Sequence, residues 1–347
     1  MRTAADGDRP TTLQHVAALA GVSPKTASRA LNGEPLVAPG TAARVVAAAQ
    51  SVGYRVNATA RDLRLGAAPP LVGLVTADLA DPFASRLAAG LERELRTAGL
   101  LLVTVSSGED PEGERAAVAT LLQRGVRALV VVCTAASPEH LGAARRPGTP
   151  LVTVGGGTAD ADRVVLDHRA GARAATEHLI ARSGGRPPRL ALLGDPRRAG
   201  TSRACAAGVR DALDAAGLAP LAAEQVREAH DAASAGAAVA ELLAAHPAPT
   251  GLLATSAALA TGAVRGLVRG GALGRCAVAG VGDVDLAGLV DLAVVSYDAE
   301  ETGRTAGRLV LERVQGDGRP ARRVVIPARL VVTSRGGVPE APEVTIA

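Results

Sequence analysis

Aromatic residues are almost absent from this chain of 347 residues, which has no tryptophan, one phenylalanine and two tyrosines. Its cores must be filled by alanine, valine and leucine, and a pocket that stacks on ring faces has only Phe83, Tyr54 and Tyr297 to draw on. Cysteine is equally scarce. Cys133, Cys205 and Cys276 lie far apart without Cys-x-x-Cys spacing, each in or beside an apolar run, and read as buried thiols rather than disulfides or ligands. The six histidines also lack metal spacing. No run approaches the roughly eighteen apolar residues of a membrane span. The opening MRTAADGDRP carries acids and polar groups where a signal peptide needs apolar ones, so a cytoplasmic protein with no membrane partner is expected. No GxGxxG follows a strand, no P-loop or GxSxG occurs, and the glycines at 155–157 lack a following helix start. No pair of nucleophile and base can be located, so neither enzyme activity nor a cofactor is expected.

What is present is a long, apolar, unevenly charged chain. With 48% hydrophobic and 21% charged residues it is globular, and its length calls for at least two folding units. Residues 1–66 carry eight basic and four acidic side chains, which is the whole of the formal charge of +4; the remaining 30 bases and 30 acids cancel. A polyanion would profit from that basic first fifth through counterion release, although an ordinary solvated surface has the same signature.

Spacing decides between them. In TTLQHVAALAGVSPKTASRALNG, Leu13, Val16, Ala17 and Ala20 share one helical stripe, Thr11 or Thr12 caps its start, and Gly21 ends it. Ser23 is an N-cap, Pro24 fits the first helical position, and Thr26, Ala27, Ala30 and Leu31 continue a second helix to Asn32-Gly33. A third helix is expected over 40–52, with Ala43, Val46, Ala47 and Val52 buried.

These residues, followed by GYRVNATARDLR, resemble the headpiece and hinge of the lac-repressor (LacI/GalR) family, and the resemblance extends over the whole chain. It implies a three-helix helix-turn-helix DNA-binding headpiece at 11–56 and a hinge helix with linker at 57–70. The helix after the turn would lie in the major groove. Ser23, Pro24, Lys25, Thr26, Ser28 and Arg29 hold the matching positions, with Pro24 and Lys25 at the two places that vary with operator sequence. Arg29 suits a bidentate guanine contact, while Thr26, Ser28 and Asn32 suit phosphate or backbone anchoring. Thr12, Tyr54 and Asn57 complete the expected DNA-facing set. The segment 57–65 is too short to be a stable isolated helix, since about twelve to fifteen residues are needed. In the family two such hinges order together in the minor groove, and Leu63, with Ala60 before it, holds the position of the leucine that wedges between base pairs. Packing of Leu63 on the core is the alternative, but LRLG runs into alanine and proline rather than into a helix.

Beyond Pro70 the pattern becomes strand, helix, strand, helix. Near-continuous apolar runs at 71–77, 101–107, 128–134, 150–156, 189–194, 251–256, 276–282 and 292–298 read as parallel strands covered on both faces. They imply an α/β core of two doubly wound lobes over 71–347, resembling type I periplasmic-binding-protein folds. That resemblance implies a lobe one of about 71–166 and 299–325 and a lobe two of about 167–298 and 326–340, with crossings near Asp167, near Tyr297-Asp298 and within RVVIPARLVV. A ligand of such a fold lies at the carboxyl ends of the strands. Asp78, Phe83, Thr134, Asp167, Arg203, Ser256 and Asp283 are the candidates to hold a small-molecule effector, although each polar one could equally cap a helix.

The chain departs from the family pattern at that site. Sensors of the family show Asn-Asp where Thr255-Ser256 stands, an arginine where Cys205 precedes Gly208-Val209, and an aromatic-Asp-Asp run where Val281-Gly282-Asp283 stands. Groups that commonly clamp sugar hydroxyls are thus missing or displaced. The resemblance implies a transcriptional repressor that binds an inverted-repeat operator in double-stranded DNA as a homodimer, a tetramer being the alternative. A regulator with no small-molecule effector, or with a protein partner, stays open. A transport-type solute-binding protein would share the core but would need an export signal and have no use for the headpiece.

Overall fold

The computed structural model describes residues 11–54, 69–108, 110–133, 141–142, 148–184, 187–245, 249–284, 290–333 and 344–345. Contacts divide the chain into two units, Met1–Pro69 and Pro70–Ala347. In the first, α1 (Leu13–Leu19), α2 (Pro24–Leu31) and α3 (Pro39–Ser51) enclose a small core of Val16, Ala17, Ala20, Ala27, Ala30, Val45 and Ala49. The Thr11 hydroxyl donates to the Val52 carbonyl at 3.1 Å and ties the start of the bundle to its end.

The third helix differs from the sequence expectation by one register. It starts at Pro39 and buries Val45 and Ala49, with Ala42, Ala48 and Val52 packed beside them, while Ala43, Val46 and Ala47 face outward. A helix made almost wholly of alanine and valine offers two apolar stripes, and only packing chooses between them.

In the second unit a six-stranded all-parallel sheet has the order β11 (Arg323–Ile326), β5 (Asp162–Leu166), β4 (Leu151–Val154), β3 (Ala128–Val132), β1 (Leu71–Thr76), β2 (Leu101–Ser106). A seven-stranded sheet has the order β13 (Val344–Thr345), β12 (Arg329–Thr333), β10 (Leu292–Ser296), β9 (Ala277–Val281), β8 (Gly251–Ala254), β6 (Leu190–Gly194), β7 (Val226–Glu228). Its members run parallel except β12, which pairs antiparallel with β10 on one side and with the edge strand β13 on the other. RVVIPARLVV is divided as the sequence suggests: β11 joins the first sheet and β12 the second. Strands β5, β7 and β13 were not foreseen, being short or only partly apolar.

Both faces of each sheet are covered. Helices α4 (Pro82–Thr97) and α10 (Ala299–Val314) bury Leu87, Leu91, Leu309 and Val310 against one face of the first sheet, and α5 (Pro111–Gln123) buries Val118 and Leu121 against the other. On the second sheet α6 (His168–Ala181) and α7 (Ala199–Ala215) cover one face, α8 (Ala232–Ala245) and α9 (Ala257–Arg269) the other. The α4–α10 contact depends on Gly303, where a Cβ would stand 2.0 Å from the Leu87 carbonyl oxygen. Gly208 plays the same part between α6 and α7, 2.2 Å from the Arg169 carbonyl oxygen.

Candidate DNA-reading and effector sites

The first unit holds α2 by a cap at each end. The Ser23 hydroxyl accepts from the Thr26 amide at 3.1 Å, Pro24 follows at the first helical position, and Asn32 ends the helix. Ala27 and Ala30 face the bundle core, so Pro24 and Lys25 are exposed, and Thr26, Ser28, Arg29 and Asn32 flank them half-exposed. The helix therefore turns a polar and basic edge to solvent along its amino-terminal half. Thr12 caps α1 by accepting from the His15 amide at 3.3 Å, which places its side chain at a helix terminus. Tyr54 packs against the bundle core. Asn57, Ala60 and Leu63 lie outside the described residues.

In the second unit, a residue that directly follows a parallel strand often also starts the next helix. Asp167 therefore caps α6 by accepting from the Ala170 amide at 3.0 Å, Ser256 caps α9 through the Leu259 amide at 3.3 Å, and Asp298 caps α10 through the Glu301 amide at 2.8 Å. Asp78 accepts from the Ala80 amide at 2.9 Å in an exposed turn beyond β1, and Asp81 caps α4 through the Phe83 amide at 2.9 Å. Each keeps one acceptor occupied in holding the backbone. Phe83 is half-buried and packs against core residues of both sheets. Arg203 is exposed on α7, and Thr134 lies outside the described residues.

Asp283, in the turn after β9, accepts from the Ser296 hydroxyl at 2.7 Å and pairs with Arg86 of α4. Gly282 before it adopts φ 89° and donates its amide to the Val295 carbonyl at 2.8 Å. Nearby in sequence, Tyr297 is buried and its hydroxyl meets His168 Nδ1 at 2.8 Å, the two rings lying edge to face at 5.2 Å. Burial lowers the His168 pKa to about 4, with Arg198 adding to the effect and Asp167 opposing it. Burial also pushes the Tyr297 phenol well above its ordinary value, helped by Cys205 and Asp167. Burial raises the Cys205 thiol to about 12, so it stays protonated and is no nucleophile. Arg86 escaped the sequence reading because a pairing across 197 residues leaves no local signal in spacing, and Ser296 because its bond to Asp283 depends on two adjacent strand ends meeting in the fold.

Two cavities open at the opposite, amino-terminal ends of the strands. One of about 750 Å³ is lined by residues that include Pro150, Asp162, Arg313 and Arg319, and one of about 590 Å³ by residues that include His178, Arg182, Arg189 and Arg275. The first is braced by its own charges: Arg313 donates to both Asp162 oxygens at 2.7 and 3.0 Å, and the Arg322 amide adds a third bond at 2.7 Å. Among the described residues no cluster of His, Cys, Asp and Glu is placed to hold a metal ion, and no helix is long and apolar enough to cross a membrane.

Residues 12–57 match the family profile of bacterial regulatory proteins, lacI family, and residues 70–334 that of periplasmic binding proteins and sugar binding domain of LacI family. The HTH-type transcriptional regulator PtxS of Pseudomonas aeruginosa is 32% identical over 328 residues, covering 92% of this chain and 94% of its own. The maltose regulon regulatory protein MalI of Escherichia coli is 29% identical, covering 92% and 97%. Among solved structures, the lac repressor dimer bound to operator and the anti-inducer ONPF superimposes with a TM-score of 0.77 at 25% identity, covering 92% of this chain and 98% of that one.

Proposed function

The chain belongs to the LacI family of DNA-binding transcriptional regulators, and from that premise we propose that it is a cytoplasmic repressor, not an enzyme. It binds an inverted-repeat operator as a homodimer and answers to a small molecule held at the carboxyl ends of its strands. The observation that carries the reading is the exposed edge of α2, with Ser23, Pro24, Lys25 and Arg29 presented by a capped helix on a three-helix bundle. Arg29 would read a base, and Asn57, Ala60 and Leu63 would join the minor groove. Dimerisation accords with β2, an edge strand whose Leu101 and Val103 are 62% and 37% exposed where an ordinary edge would be polar.

Lobe one, about 71–166 and 299–325, and lobe two, about 167–298 and 326–340, would change their mutual angle when the effector binds. Differential affinity for the two arrangements would then alter hinge ordering on DNA. Asp78, Phe83, Thr134, Asp167, Arg203, Ser256 and Asp283 remain the proposed effector contacts. One solved relative is a CelR–cellobiose complex, but several sugar-clamping groups are replaced here and much of the polar set serves as helix caps. A regulator that uses a protein partner, or no effector, is the second reading those replacements favour.

Fluorescence anisotropy with DNA fragments flanking the protein's own coding sequence tests this. A salt-dependent complex weakened by one compound among sugars, nucleosides and acidic metabolites supports the first reading. A complex insensitive to all of them supports the second. No preference over unrelated DNA contradicts both.

A further inference from the structure

The backbone that ends α2 returns Glu34 to the DNA-reading helix. After the Asn32 cap, Gly33 adopts φ 69° and donates to the Ala30 carbonyl at 3.1 Å, while the Glu34 amide donates to the Arg29 carbonyl at 3.0 Å. This double bond pattern is a Schellman ending, in which the residues at the places of Glu34 and Arg29 commonly make an apolar contact. Here they make an ion pair instead, Arg29 Nε to Glu34 Oε2 at 3.3 Å.

Stability does not explain the choice. The two side chains are 42% and 45% exposed, and pairs so exposed contribute little. A carboxylate beside the DNA-reading edge also opposes a polyanion. What the pair does is geometric: Glu34 takes the Nε side of the guanidinium and leaves the two terminal nitrogens, one of the edges that grips guanine with two parallel bonds. The pair also biases the side chain towards one orientation before DNA arrives, so less rotamer freedom is lost on binding.

We propose that Glu34 is a positioning residue for base recognition, which restrains Arg29 and sharpens discrimination at the base pair it reads while lowering affinity for DNA in general. The proposal rests on the headpiece reading given above. The test compares Glu34→Ala, Glu34→Gln, Arg29→Ala and the Arg29→Ala/Glu34→Ala double variant. Each is measured against the operator selected by the parent protein, against operators changed at each base pair, and against unrelated DNA. Circular dichroism checks that each variant is folded.

Both Glu34 variants should bind unrelated DNA more tightly, and their discrimination at one symmetric base pair should fall roughly three- to tenfold per half-site. On the Arg29→Ala background, Glu34→Ala should leave discrimination unchanged. Unaltered discrimination in both Glu34 variants, or an equal loss at every base pair, overturns the positioning role even if Arg29→Ala relaxes one base pair as the functional reading requires. If the parent protein prefers no sequence, the functional reading itself has failed.

Discussion

Arg86 pairs with Asp283, joining helix α4, packed on the six-stranded sheet, to the turn after β9 of the seven-stranded one. Ser296 bonds the other Asp283 oxygen at 2.7 Å, so both oxygens of the carboxylate are engaged. An ion pair between elements of two sheets is sensitive to any change in the angle between them.

Arg86→Ala and Asp283→Asn should therefore change stability by less than about 1 kcal/mol, because the arginine is half-exposed. They should nonetheless shift effector-free DNA affinity several-fold by favouring the arrangement in which the pair is unmade. The double variant should match the single ones rather than add to them. Thermal melts and anisotropy titrations measure both; DNA affinity unchanged in all three variants contradicts a coupling role.

The His168–Tyr297 pair makes stability depend on pH in a definite direction. The folded-state pKa of His168 is lowered to about 4 from an ordinary 6.5, so below the latter the unfolded chain takes up a proton that the folded chain refuses. Stability from this group is full above pH 6.5 and falls as pH drops towards 4, at no more than about 1 kcal/mol per pH unit because His168 is half-exposed. Urea unfolding across that window should show a shallower pH slope for His168→Asn. Tyr297→Phe should lose roughly 1 kcal/mol through the missing hydrogen bond. A slope identical in His168→Asn contradicts the assignment.

Asp162 anchors the start of β5 to the end of α10. Its side chain is fully buried against Arg313 and the Arg322 amide. Burial works against its ionised form, yet the Arg313 bonds, the Arg322 amide and both guanidinium charges outweigh burial and hold its pKa below the ordinary value. Asp162→Ala should cost about 3 to 5 kcal/mol, since it leaves Arg313 without its buried partner. The stabilisation should be present above the ordinary carboxylate range and fade only as pH falls below it. Chemical denaturation of the variant at neutral pH reads the loss; a change under 1 kcal/mol, by order of magnitude, would argue that the network rearranges.

Much of this was legible in the sequence, for reasons that differ by region. The headpiece was legible because caps, turn glycines and stripes coincide at Ser23, Gly21 and Ala27. The register of α3 was not, because Ala43, Val46 and Ala47 are as apolar as the residues that are buried. The alternating strands could be read from apolar runs, and the division of RVVIPARLVV followed from the family resemblance, whereas β5 carries only Val164, Val165 and Leu166. The acids beyond the strands were ambiguous because ligand contacts and helix caps need the same side chains at the same places, as Asp167 demonstrates. Arg86 was invisible because its partner is decided by tertiary structure alone.

Arg29→Ala should weaken operator binding by about 1 to 3 kcal/mol per half-site and relax preference at one symmetric base pair. Competition binding against singly substituted operators reads this directly. Uniform weakening at all positions would assign Arg29 to phosphate contact instead.

The most direct test of the DNA-reading function is selection of binding sites from random duplex DNA with the purified full chain. We expect enrichment of a single inverted repeat with two-fold symmetry, and loss of one symmetric base preference when the selection is repeated with Arg29→Ala. Failure to enrich any inverted repeat would contradict the function assigned to this protein.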